Sequence, residues 1–82
     1  MAKRLAVDAR SALLKLLKEI RNEAGLRQQD IATRLGQPQS FVSRYESGGR
    51  RLDVVELREV CQACDVSLTE FSRRFERLLK GD

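Results

Sequence analysis

The stretch from Gln28 to Glu46, QQDIATRLGQPQSFVSRYE, constrains this chain more than any other. It reads as two short helices joined by a tight turn, the first from about Gln28 to Leu35 and the second from about Gln39 to Glu46. Ala32 is small enough for two helix backbones to approach closely. Gly36 supplies the left-handed residue that ends the first helix without a Cβ penalty. Val42 is placed to point back at Ile31 and Leu35 and close a small core.

Dialled at about 100° per residue, the second helix separates into two faces. Val42, Tyr45 and Glu46 share one side, with Phe41 at its edge. Gln39, Ser40, Ser43 and Arg44 share the other, which is polar, cationic and free of carboxylates. Gln and Arg side chains can pair in bidentate fashion with adenine and guanine edges in a major groove, and Ser can donate or accept. A solvated surface is the bland reading of such a face. Its place in a two-helix unit favours base reading. Phe41 can pack at the core edge or touch a thymine methyl or a sugar, and packing is the stronger expectation.

At these residues the chain resembles the phage-repressor and Cro-like (XRE-type) helix-turn-helix regulators. The match runs through Gly25-Leu26, Gln28, Ala32, Leu35-Gly36, Gln39-Ser40, Val42-Ser43-Arg44, Glu46 and Gly48, and more weakly through Leu57, Val60 and Val66. The resemblance implies an all-α, compact five-helix bundle of the lambda-repressor-like DNA-binding type, with the helix-turn-helix formed by the second and third helices. It also implies an ion pair between Arg21 and Glu46, and a Gln28 that reaches a backbone phosphate and braces Gln39. Arg21 and Glu46 are therefore read as structural, and Glu46 as unsuited to meeting a phosphate. Two residues depart from the family pattern. Arg27 stands at an N-cap where Ser or Thr is usual, costing about 1 kcal/mol of capping and offering a cation to DNA. Pro38 stands where a capping hydroxyl is common, which leaves the start of the third helix open.

The remaining helices carry their own boundary signals. Asp8 caps the first, which ends at Gly25; Ala9, Leu13, Leu16, Leu17, Ile20 and Ala24 form its core stripe. Leu14 lies off that stripe and is expected to meet the C-terminal helix or a partner. Asp53 and Glu56 form a capping box for the fourth helix, with Leu52 and Leu57 as hydrophobic staple; Ser67 and Glu70 repeat the pattern for the fifth, with Val66 and Phe71. Leu68, Phe71, Phe75, Leu78 and Leu79 line the fifth helix (67–80), a candidate dimerisation element.

Eighty-two residues make a single domain, 1–82, with a modest core, so self-association is expected. Residues 1–7 are expected to be a flexible arm, from which Lys3 and Arg4 can touch phosphates. The net charge is +4, and it is segregated. Residues 1–26 carry +3, residues 27–51 carry +3 and residues 52–82 carry −2. The basic part coincides with the helix pair, as binding to a polyanion requires. Arg27, Gln28, Arg50 and Arg51 are the candidate phosphate contacts.

Catalysis is not expected. The sequence has no His, no paired carboxylates in an apolar pocket and no phosphate loop, since Gly48-Gly49 lacks the strand and lysine that a P-loop needs. Cys61 and Cys64 have neither a βαβ context for redox work nor further ligands for zinc, so they read as small buried apolar residues. No cofactor and no metal are expected. No apolar run approaches a membrane span, and no signal-peptide h-region follows the basic start, so a cytoplasmic protein of bacterial or phage origin, on the nucleoid when bound, is expected. The expected function is a sequence-specific double-stranded DNA-binding transcriptional regulator, more readily a repressor than an activator, acting as a homodimer on an inverted repeat. The rival is a protein-interaction module, such as the antitoxin of a toxin–antitoxin pair.

Overall fold

The computed structural model describes residues 8–81. The arm with Lys3 and Arg4 lies outside them. Five helices follow in order: α1 (Ala9–Glu23), α2 (Gln28–Leu35), α3 (Gln39–Ser47), α4 (Val54–Ala63) and α5 (Leu68–Lys80). Among the described residues there is no strand, and no helix is long and apolar enough to cross a membrane.

Capping chemistry sets most of these boundaries. Asp8 accepts from the Arg10 backbone N–H at 3.0 Å and begins α1. Asp53 Oδ1 accepts from Glu56 N–H at 2.7 Å while a Glu56 oxygen accepts from Asp53 N–H at 3.0 Å, a complete capping box. At α5 only half the expected box forms. Ser67 Oγ accepts from Glu70 N–H at 3.0 Å, but the Glu70 carboxylate turns to Arg73. Arg27 has no acceptor and cannot cap α2 with its side chain; instead Asp30 accepts from the Arg27 backbone N–H at 2.8 Å. Pro38, with φ −70° and ψ 155°, is the last extended residue before α3, and its carbonyl accepts from Phe41 N–H. α3 runs one residue further than its sequence pattern suggests, to Ser47, before Gly48 turns left-handed.

One core gathers all five helices: Leu16, Leu17 and Ile20 from α1, Ile31 and Ala32 from α2, Val42 and Tyr45 from α3, Val60, Cys61 and Cys64 from α4 and its cap, and Phe71 from α5. Both thiols are free, and burial pushes each up to about 11. Two details of the α1 stripe differ from expectation. Ala9 is exposed in the first turn, and Ala12 is the buried small residue. Leu14, off that stripe, packs against the core and lies at the turn after α3: a Cβ built on Gly48 would lie 3.1 Å from Leu14 Cδ1. Polar ties join helices at the rim. Arg34 donates to the Ala63 carbonyl at 2.7 Å, fastening α2 to the end of α4. Arg74 grips both Glu23 oxygens at 2.8 and 2.9 Å, fastening α5 to α1.

Candidate nucleic-acid interface

α3 is held at both ends by one polar chain. Glu46, 2% exposed at its C-terminal end, accepts from Arg21 Nε at 2.7 Å and from Arg21 Nη2 at 3.1 Å. Arg21 Nη1 also donates to the Leu26 carbonyl at 3.1 Å, so the guanidinium ties α1, the turn before α2 and α3 together. The hydrogen bond to Glu46 is the main cause that raises Arg21 above the ordinary arginine range. Glu46 Oε1 further accepts from Gln28 Nε2 at 3.0 Å, and Gln28 Oε1 accepts from Gln39 Nε2 at 2.6 Å. The first and last turns of α3 are therefore fixed through a side chain at the start of α2. A buried carboxylate is tolerated here because three donors replace its water.

This anchoring leaves the outer face of α3 to solvent. Gln39, Ser40 and Arg44 are exposed and Ser43 is half-buried. Phe41 sits at the edge: its ring meets Tyr45 edge-on at 5.6 Å, and the Arg50 guanidinium stacks over it at 4.7 Å. The packing role fits these contacts.

The four candidate phosphate residues differ in their freedom. Arg51 is exposed, and its guanidinium makes no hydrogen bond among the described residues. Arg27 holds Asp30 through Nε at 3.1 Å and Nη2 at 3.0 Å, which pulls the carboxyl down to about 2. Arg50 grips both Glu56 oxygens at 3.1 and 2.8 Å. Gln28 spends its amide on Glu46 and Gln39. Two arginines and the glutamine are thus internally partnered in the unbound chain, which the residue types alone did not reveal. In each arginine pair the acid is the third residue of a helix, Asp30 in α2 and Glu56 in α4.

The α5 stripe turns mostly inward. Phe71 is buried, and Leu68, Phe75 and Leu78 pack against the core, with Leu79 half-buried beside them. The large hydrophobic side chains that stand exposed among the described residues are Val54 and Val55 in the first turn of α4, 65% and 64% accessible. Sequence reasoning passed over them. The helical wheel would have found them: Leu57, Val60 and Cys61 share one side, Val55 points the opposite way and Val54 lies at the edge.

Comparisons with known proteins agree with this geometry. A family model described as helix-turn-helix matches residues 17–71. An uncharacterized HTH-type transcriptional regulator, y4dJ, of Sinorhizobium fredii is 34% identical over 64 residues, covering 78% of this chain and 83% of that protein. An XRE-family like protein from Pseudomonas syringae pv. tomato superposes with a TM-score of 0.80 at 41% identity, covering 85% of each chain. A mutant of the restriction-modification controller protein C.Esp1396I superposes with a TM-score of 0.76 at 27% identity, covering 93% of this chain and 98% of that one.

Proposed function

The chain belongs to the XRE-type helix-turn-helix family of DNA-binding transcriptional regulators, not to the enzymes, and from that premise we propose that it is a repressor which binds an inverted-repeat operator as a homodimer. The observation that carries the reading is the outer face of α3: a cationic surface without carboxylates on a helix clamped at both ends by Arg21–Glu46–Gln28–Gln39. A clamped helix presents its side chains in one register, which reading base edges requires.

In this reading Gln39, Ser40, Ser43 and Arg44 contact bases in the major groove. Arg44 suits guanine O6 and N7, and Gln39 keeps its carbonyl oxygen and second amide hydrogen for a base while Gln28 holds the first. Arg51 meets a phosphate directly. Arg27 and Arg50 reach phosphates by exchanging an internal carboxylate for an external anion, and Gln28 sets the register of the backbone. Two copies related by a two-fold axis place their α3 helices in successive major grooves about 34 Å apart. Occupancy of a promoter by such a dimer is enough to repress. The name of the controller protein among the similar structures is consistent with a regulatory role of this kind.

Selection of bound duplexes from a random library, at two salt concentrations, tests the proposal. A two-fold symmetric motif with half-sites one helical turn apart is the expected result. Salt-sensitive retention with no enriched motif leaves only general phosphate affinity and contradicts sequence reading.

A further inference from the structure

Tyr45 carries a group that the fold does not use. Its ring belongs to the core and meets Phe41 edge-on, and the residue is 1% exposed. Its hydroxyl is the one buried side-chain polar atom among the described residues without a hydrogen-bond partner. Phenylalanine would fill the same space without leaving a buried donor unpaired. Burial raises the hydroxyl well above the ordinary tyrosine range, so it stays protonated and can both donate and accept.

The tyrosine lines a recess between α1, the end of α3 and the start of α4. Five leucines make up its apolar wall, and no carboxylate takes part in the lining. The remaining members are Arg10, Arg50 and Arg51, whose long side chains keep their charge in water at the mouth. Glu56 holds Arg50 from outside the recess, whereas the Arg10 and Arg51 guanidiniums make no hydrogen bond among the described residues. Such a site fits an occupant with three matching parts: a short hydrocarbon chain, an oxygen upon it for the hydroxyl, and a negative charge for the guanidiniums. Size narrows the class. The recess encloses about 30 Å³, more than the roughly 10–15 Å³ that one water needs and far less than the roughly 150 Å³ that takes a benzene ring, so the chain is aliphatic. Water alone is a poorer fit, because it needs about two to four polar partners and the wall offers one hydroxyl among leucines.

We propose that this recess binds a short aliphatic hydroxy- or keto-carboxylate, with its charge on the arginines of the mouth and its chain oxygen on the Tyr45 hydroxyl. Arg50 and Arg51 then hold an anion other than DNA phosphate, so occupancy loosens the grip on a duplex. That consequence rests on the phosphate contacts proposed above; the site itself does not.

Titration of the full chain with β-hydroxybutyrate, followed by amide chemical shifts at constant ionic strength, tests the site. Butyrate and sulfate are the controls, and Tyr45→Phe and Arg10→Ala are the variants, with thermal unfolding to check that each keeps the fold. Saturable binding with a dissociation constant of about a millimolar is expected for a ligand of so few atoms. Tyr45→Phe is expected to raise that constant roughly tenfold and to leave butyrate, which lacks the hydroxyl, unaffected. A purely structural role for the tyrosine would move both acids alike. Arg10→Ala is expected to weaken both. Equal shifts from sulfate overturn the proposal, as does a Tyr45→Phe variant that binds β-hydroxybutyrate like the wild type. Anisotropy of a random-sequence duplex, read with and without the acid, separates the two claims. A lower duplex affinity is expected with the recess filled, and an unchanged one overturns the regulatory consequence. A chain that takes up the acid yet binds no duplex contradicts the DNA-reading account and leaves this site standing.

Discussion

Glu56 performs two tasks at once. It completes the cap of α4 and holds Arg50 away from any outside anion, and that hydrogen bond to Arg50 is the main reason its carboxyl lies below the ordinary glutamate range. Glutamine can keep the cap, because its carbonyl oxygen still accepts from Asp53 N–H. It cannot hold the charge. Glu56→Gln is therefore expected to bind random duplex DNA more tightly than the wild type. Its plot of log affinity against log salt is expected to steepen by about 0.9 per protomer, one additional phosphate contact. Fluorescence anisotropy at a series of salt concentrations measures both quantities, and identical slopes for the two proteins would remove Arg50 from the phosphate contacts. In the proposed reading a phosphate contact that must first displace a carboxylate adds little to loose binding, so random sequence is expected to be held less tightly than all four candidate residues would allow.

At the scale of the elements, the clamp on α3 joins three helices through few atoms. Removing the Glu46 charge leaves the Arg21 guanidinium only neutral acceptors, the Leu26 carbonyl and one amide oxygen, and sets an amide N–H against the donors of Arg21 or Gln28, in a site from which water is largely excluded. Glu46→Gln is expected to destabilise the domain by about 3 kcal/mol, since breaking one partner of a buried pair costs far more than the pair contributes. Denaturant melts give the number, and a loss near zero would mean that water already solvates Arg21. The helices themselves were largely legible in the sequence. Asp8, Gly36, Gly48 and the Asp53–Glu56 box act locally, so their residue types place helix ends without knowledge of the fold. The polar face of α3 was legible for the same reason, since a helical wheel needs only the period. What lay beyond the sequence was the competition among neighbours. Glu70 had Arg73 within reach and left its cap half made, Arg50 found Glu56 across a turn that no wheel describes, and Leu14 came to lie beside Gly48 in the turn after α3. The inward closure of the α5 stripe depended on how α1 packs over it, which periodicity does not specify.

The whole molecule carries its charge asymmetrically, and its ionic ties are mostly exposed. Glu23, Asp30 and Glu56 all lie below their ordinary values, each chiefly through a hydrogen bond from an arginine: Arg74, Arg27 and Arg50 respectively. A carboxyl lowered on folding adds stability above its unfolded value and loses it as the pH falls through its folded value. The ordinary values are 4.5 for Glu and 3.8 for Asp, and Asp30 falls to about 2. The unfolding temperature is therefore expected to be level from neutrality to about pH 5 and to decline from there toward pH 2. Exposed pairs contribute little each, so the decline is gradual, and calorimetry across that range checks it. A stability that rose on acidification would show that carboxylate repulsion outweighs these pairs.

The central claim is that α3 reads sequence through the side chains it turns to solvent, while other residues only grip the backbone. Library selection with the wild type, Arg44→Ala and Arg51→Ala side by side tests it most directly. The account predicts that Arg44→Ala keeps the two-fold motif but loses preference at one base pair in each half-site, at a cost of about 1–3 kcal/mol, whereas Arg51→Ala weakens all sequences alike and leaves the motif intact. An Arg44→Ala motif indistinguishable from that of the wild type would contradict the account.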